Sequence, residues 1–184
     1  MTFQKSQIDM KKKAVDDYRG TMGEKIVCKF FQENYTTRFR KYHYKWNRND
    51  FYKLKKEHTL DFNILDKNKD KDYVKDKIDI TQIEREYELK TRNKNHDYYD
   101  DVGFSINKLE YALERQKLGI KQTFLIKFLD GIFKWNLKDL EKQKDEIRYG
   151  FIGNWNRNDK TDKAFFINKK YLKRLSDCNY KKLP

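Results

Sequence analysis

The sequence is poor in cysteine, histidine and proline, and each shortage excludes a class of protein. Two cysteines, Cys28 and Cys178, are too few for a disulfide framework or a cysteine-rich zinc site, and they fit a reducing compartment. The three histidines show neither HxH nor HxxxH spacing, so a histidine-based metal site is not supported. The only proline is Pro184, and no Pro/Gly/Ser-rich linker divides the chain. We therefore expect one domain over residues 1–184.

Long apolar runs are missing as well. No stretch approaches the roughly 20 apolar residues of a membrane span, and no apolar segment follows the N-terminus as it would in a signal peptide. The sequence therefore predicts a protein that is not secreted and does not enter a membrane. We expect it inside the cell, in the cytoplasm or nucleus of its host.

Positive charge is abundant by contrast. Lys and Arg number 43 against 29 Asp and Glu, which gives a formal net charge of +14. Such an excess attracts polyanions, and nucleic acid is the first partner to expect because contacts between basic side chains and phosphates dominate its binding. A role in solubility and AT-rich codon usage, which favours Lys, Asn, Ile and Tyr, are the competing explanations. Aromatic residues make up 16% of the chain, enough for one modest core.

Hydrophobic periodicity predicts helices and strands in alternation. Near the N-terminus we expect two helices, over residues 6–19 and 21–33, separated by Gly20. Thr21 and Glu24 match a capping box at the start of the second helix. The later elements are strands at 38–46, 60–65 and 78–92, a helix at 106–118 between Ser105 and Gly119, strands at 123–129 and 132–135 joined by an Asp130-Gly131 turn, a short helix at 137–147, an edge strand at 165–167 and a basic helix at 169–175.

The clearest alternation places chemically useful side chains together. Glu88 and Lys90 project from the same face of the predicted strand at 78–92, while Leu89 faces the core and leaves its carbonyl near any metal. Asp61 opens the preceding predicted strand, and Asp79 is a weaker competitor because only nine residues separate it from Glu88. Carboxylates on two neighbouring strands are typical ligands of Mg²⁺. The alternative interpretation is a solvated strand face with alternating charge.

These residues resemble the motif of the PD-(D/E)XK nuclease superfamily. The matching segments are Leu60-Asp61-Phe62 and Glu88-Leu89-Lys90, with Leu60 at the position of the motif's proline. The resemblance implies an α/β, restriction-endonuclease-like fold, in which a mixed central β-sheet is flanked by helices in αβββαβ order. The core would span about residues 21–136, and residues 137–184 would form a small C-terminal appendage.

The resemblance also implies roles for individual residues. Asp61 and Glu88 would bind Mg²⁺, with Mn²⁺ as a substitute, and Leu89 would contribute its backbone carbonyl. Lys90 would position or polarise the attacking water. Glu24 corresponds to an acid on the first core helix that supports a second metal in some relatives, and the capping box is its equally good structural explanation. The implied substrate is DNA, with RNA as an option, and a homodimer is compatible because cutting both strands usually needs two active sites.

Several basic residues are candidates for contacts to nucleic acid, and solvated charge is the alternative for each. Arg92 follows the motif directly, and Lys108 lies in the first turn of the helix that comes next. The pentapeptide WNRND occurs at 46–50 and again at 155–159, which places Arg48 and Arg157 in two similar loops; chance repetition in an Asn-rich chain explains this equally well. Basic residues near the C-terminus, Lys170 and Arg174 among them, suit phosphate contact.

The lead hypothesis from sequence is a Mg²⁺-dependent endonuclease that hydrolyses phosphodiester bonds in DNA. Two rivals use the same fold. One is a catalytically inactive nucleic-acid-binding protein, which would bind in a salt-dependent way without cleaving. The other is a ribonuclease or a junction-specific nuclease.

Overall fold

The computed structural model describes residues 14–15, 18–27, 29–31, 39–41, 51–54, 83–153 and 161–176. A helix, α1, covers 18–27, with further helical residues at 14–15 and 29–31. The other helices are α2 (Ile106–Lys117) and α3 (Leu140–Gln143), and the strands are β1 (Phe39–Lys41), β2 (Phe51–Leu54), β3 (Ile83–Thr91), β4 (Asp101–Ser105), β5 (Lys121–Lys127), β6 (Ile132–Asn136), β7 (Arg148–Gly153), β8 (Thr161–Asn168) and β9 (Lys173–Ser176).

The main sheet is mixed, as the sequence predicts. Its strands lie in the order β1-β2-β3-β5-β6-β9. β3 is parallel to β5, and α2 connects the two, while the other neighbours are antiparallel. β3 is therefore an interior strand with a partner on each side. Tyr87 and Glu88, on opposite faces of β3, are both buried, and a buried charged residue needs a partner.

The C-terminal third is built into the fold, so the expected appendage is wrong. β4, which the sequence did not predict, forms a second sheet with β8 and β7 in the order β4-β8-β7. β8 is thus a central strand rather than an edge strand. The predicted basic helix at 169–175 is also wrong: a 3₁₀ turn at Lys169–Tyr171 leads into β9, which pairs with β6. The segment 137–147 is helical in part, with α3 between two 3₁₀ turns.

Two apolar clusters cover the two faces of the main sheet. The larger packs β5 and β6 against α2, β4 and β8, with Phe124, Trp135 and Phe165 at its centre. The smaller packs α1 residues Val27 and Phe31 against the opposite face, around Tyr87 and Leu125 among others. Aromatic residues therefore carry both cores, as their abundance in the sequence predicts.

The turn between β5 and β6 differs by one residue from its prediction. Lys127 pairs with Ile132, and the Phe128 amide donates to the Gly131 carbonyl at 2.8 Å. The two central residues are consequently Leu129 and Asp130 rather than Asp130 and Gly131. The hairpin itself is confirmed. Helix α2 and its ending are also confirmed, with Gly119 at a φ of +80° just beyond the C-cap.

Helix α1 does not break at Gly20, because residues 18–27 are continuously helical. Thr21 lies inside this helix, so the capping-box prediction is wrong. Gly23 is buried, and its backbone lies against the side chain of Thr91 at the end of β3. The helix thus needs a residue without a side chain at this contact.

Replacing Gly23 by Ala is expected to lower the free energy of unfolding by about 1–3 kcal/mol, the usual cost of overpacking. A Cβ at this position would lie 2.0 Å from Thr91 Oγ1 and 3.0 Å from Thr91 Cβ, so rotation of the threonine cannot clear the clash. Gly20→Ala is the matched control, because a Cβ there meets nothing within 4 Å. The control should gain up to about 1 kcal/mol from helix propensity. Urea unfolding measures both, and equal effects would contradict the contact.

Candidate active site

One face of β3 carries the residues of the sequence motif. Glu86 and Glu88 form ion pairs with side chains of α2, and Lys90 donates a hydrogen bond to a carbonyl of β4. Arg92 follows at the same two-residue spacing. Leu89 points the other way and packs with the α1 cluster, as predicted. The alternation read from the sequence is therefore correct for this strand.

Glu88 is almost completely buried, with 7% of its surface exposed. Lys108 of α2 places its Nζ 2.5 Å from Glu88 Oε1. The neighbouring Glu86 is 0% exposed. These values rule out the solvated charged face for both glutamates. A carboxylate buried beside an interior strand needs a positive partner, and here a lysine supplies it.

Lys90 lies in the same environment. Its Nζ donates to the Gly103 carbonyl and sits 5.3 Å from the centre of the Phe104 ring. The pKa of Lys90 is lowered from 10.5 to about 7, mainly by burial; repulsion from Arg92 and Lys108 adds to this shift, and attraction to Glu88 partly opposes it. Because that pKa matches neutral pH, a sizeable fraction of the side chain is an uncharged amine that can accept a proton.

Two further cations surround this pair. Lys108, predicted to approach a phosphate, lies directly at Glu88. The Arg92 guanidinium is 5.8 Å from the centre of the Tyr99 ring, and its buried Nε has no hydrogen-bond acceptor among the described residues. Three basic groups therefore gather around one buried carboxylate. Their excess positive charge suits a phosphate.

Known proteins supply no guide to this site. Comparisons with protein-family models, with curated proteins and with solved structures found no match. In the part of the chain that the structure describes, no helix is long and apolar enough to cross a membrane. What the site does must be inferred from its residues.

The described residues include ligand types that suit magnesium, but they do not supply a complete set of ligands. Glu88 provides a buried carboxylate, and the neighbouring lysines match a phosphate ligand. Among residues 83–153, 161–176 and the shorter described segments, no three or more His, Cys, Asp and Glu side chains form a metal-binding group. A magnesium site here would need a further carboxylate beside Glu88. Asp61 and its competitor Asp79 lie outside the described residues.

Glu24 remains a candidate metal ligand, and the capping box with Thr21, its alternative explanation, does not hold. It is half-buried on α1, and its neighbour Gly23 touches Thr91, the residue that ends the motif strand. Because Thr21 is inside the helix, a capping role no longer explains the acid. The end of α1 that carries Glu24 thus lies beside the motif strand.

Of the other predicted nucleic-acid contacts, Lys170 and Arg174 lie away from this site. Lys170 forms an ion pair with Glu146 on the surface. Arg174 lies in β9, donates to the Asp130 carbonyl at 3.1 Å and packs over Phe133. Arg48 and Arg157, with both copies of the repeated pentapeptide, are outside the described residues.

Proposed function

We propose that this chain is a Mg²⁺-dependent nuclease of the PD-(D/E)XK type that hydrolyses phosphodiester bonds in DNA. The supporting observation is the charged cluster on β3, where the buried Glu88 forms an ion pair with Lys108 and lies beside the half-buried Lys90. A lysine with a pKa near 7 beside a buried carboxylate is typical of a functional site.

The order of elements also supports the proposal. Among the described elements, α1 is followed by β1, β2 and β3, then by α2 and β5, which corresponds to the helix–strand–strand–strand–helix–strand order of the superfamily. β4 is an insertion between β3 and α2. In this order the motif strand is β3, the interior strand that carries Glu88.

The chemistry assigned to each group follows from its environment. Glu88, together with an acid from outside the described residues, would hold Mg²⁺, which when bound neutralises phosphate charge and makes water more acidic. Lys90 in its neutral form accepts a proton from the attacking water, and in its charged form contacts a phosphate oxygen. Arg92 and Lys108 attract the phosphodiester and orient it by hydrogen bonds.

Incubation with supercoiled plasmid DNA tests the proposal. Nicked or linear DNA should form with Mg²⁺ or Mn²⁺ and should not form with EDTA. Parallel reactions with single-stranded DNA, branched DNA and RNA separate the DNA nuclease from a ribonuclease or junction nuclease. Absence of cleavage of every substrate with either metal would contradict an enzymatic role.

The second acid can be identified by comparing Asn variants at three positions. We expect Asp61→Asn to lower cleavage at least about 100-fold, because it removes a charged metal ligand. Asp79→Asn is the competitor, and Asp50→Asn is added because Asp50 directly precedes β2, the described strand that pairs with β3. The latter two should retain activity within about threefold. If only Asp79→Asn or only Asp50→Asn loses cleavage activity, that residue is the second metal ligand instead of Asp61.

The inactive binding protein is kept as a second candidate because of one contact. The Lys108–Glu88 ion pair neutralises the carboxylate that a metal would need. A decayed enzyme would bind DNA, with affinity falling steeply as salt rises, and would not cleave it. The plasmid experiment with a parallel filter-binding titration distinguishes the two.

A further inference from the structure

A hollow of about 430 Å³ lies directly beyond the end of β3. This volume is within the range of sites that hold small molecules or single planar groups. Its walls carry amide, carboxylate, ammonium and aromatic groups from Asn93, Lys94, Asn95, Asp97, Tyr98 and Leu129. The mixture offers a stacking surface together with hydrogen-bond donors and acceptors, which are the contacts that recognise a nucleobase.

The loop that forms the hollow is fastened to the turn between β5 and β6. The Leu129 amide donates to the Lys94 carbonyl at 3.0 Å. Asp130 accepts from the His96 backbone amide at 2.9 Å and contacts the His96 ring nitrogen Nδ1 at 3.0 Å. The His96 ring in turn stacks on Phe133, with centroids 4.7 Å apart. The hollow is therefore shaped before any ligand arrives, which reduces the entropy cost of binding.

Tyr98 is one of the few large aromatic residues of the described chain that are mostly exposed. It is 65% exposed, whereas most large aromatic side chains of the described chain are buried in the two cores. Lys94 places its Nζ 4.6 Å from the centre of the Tyr98 ring, and the Tyr99 ring meets it edge-on at 5.1 Å. Arg92 lies over Tyr99 in turn. Cations and rings thus form a continuous path from the candidate active site to the hollow.

We propose that the hollow binds an unpaired nucleobase of a single-stranded nucleic acid, stacked on Tyr98. The inference rests on the proposed nuclease function and specifies single-stranded nucleic acid as the substrate class of that nuclease. In a duplex both faces of a base are covered by its neighbours, so an exposed ring can stack only on an unpaired base. Lys94 and Arg92 contact the flanking phosphates. The Asp97 carboxylate repels phosphate and accepts hydrogen bonds from a base amino group, so the base faces the hollow.

Fluorescence anisotropy with labelled 12-nucleotide DNA tests the inference. Single-stranded DNA, the same sequence as a duplex, and single-stranded RNA are titrated in EDTA, so that no cleavage is needed. Tyr98→Ala should raise the Kd for a single strand by about 5-fold to about 100-fold, the usual effect of losing one stacked base. The Kd for the duplex should change less than about twofold. The RNA titration shows which kind of single strand is preferred.

Two control variants separate stacking from folding. Tyr98→Phe keeps the ring and should bind single strands within about twofold of the unaltered protein. Tyr149→Ala removes another exposed tyrosine, 60% exposed on β7, and should leave binding unchanged. An equal loss on single strand and duplex, or no loss in Tyr98→Ala, would overturn the inference. Because binding is measured without metal, this result is independent of whether Glu88 and Lys90 prove catalytic.

Discussion

Glu88→Ala and Lys90→Ala should each lower plasmid cleavage about 1,000-fold or more, with DNA binding retained within a few-fold. The loss of a metal-binding carboxylate removes several kcal/mol of transition-state stabilisation, and the loss of a proton acceptor costs about 100- to 10,000-fold. Binding depends on the whole basic surface, with its net charge of +14, so a single neutral substitution should change it little. Cleavage rates and filter-binding titrations measure the two effects separately.

Matched variants on β3 test whether the loss of cleavage is specific to Glu88 and Lys90. Glu84 lies on the same face of β3, but it is only partly buried and its partner Lys121 is 3.6 Å away. Glu84→Ala should therefore cleave normally. Glu88→Gln keeps the shape of the buried side chain and should be as inactive as Glu88→Ala, which guards against loss through misfolding. Normal cleavage by Glu88→Gln or Lys90→Ala would refute the assignment of the site.

Arg115→Met is expected to produce the largest loss of stability, about 3–5 kcal/mol, because it strands a buried carboxylate. Arg115 of α2 donates from Nε to both oxygens of Glu86, at 3.1 and 3.0 Å, and from Nη2 at 2.5 Å. Gln122 adds a hydrogen bond at 2.9 Å, and Glu86 is 0% exposed. Urea unfolding with linear extrapolation measures the change.

The partly exposed ion pair between Lys121 and Glu84 of β3 provides the control for the Arg115→Met prediction. Lys121→Met breaks the partly exposed pair with Glu84 and should cost less than about 1 kcal/mol. Adding Glu86→Gln to Arg115→Met removes the stranded charge while keeping an acceptor for Gln122, and should recover at least half of the loss. Similar losses from Arg115→Met and Lys121→Met would show that the buried network does not fix α2 on the sheet.

Local patterns in the sequence were sufficient for the elements nearest the motif. The period of two over Glu88 and Lys90 predicts their common face, and the period of 3.6 predicts α2, because both depend only on neighbours in the chain. Glu84, Glu86 and Glu88 alternate along β3, and acids on one face repel one another unless cations are close. Which cations these are could not be predicted, since Lys121, Arg115 and Lys108 are brought there by the packing of α2 and β5 on β3.

Errors in the prediction come from contacts between distant parts of the chain. Glycine at position 20 suggested a break, yet packing of α1 on the sheet outweighs a cost of about 1 kcal/mol for a helical glycine. β9 follows a basic segment whose spacing favours a helix, and only pairing with β6 makes it a strand. Lys127 is 0% exposed although it is the charged residue of the segment 123–129. Tertiary context decides each of these positions.

Because β4 pairs with the distant strand β8, the second sheet can fold only after β8 has been synthesised. In this pairing Asp101 of β4 lies opposite Asn168 of β8. The strand β6 likewise gains its second neighbour only from β9, where Arg174 lies opposite Phe133. Such remote partners slow folding, because a long loop must close before its contacts form. During synthesis the motif strand and α2 leave the ribosome well before the chain that covers them. The growing polypeptide therefore exposes apolar surface until the residues of β8 and β9 have been synthesised.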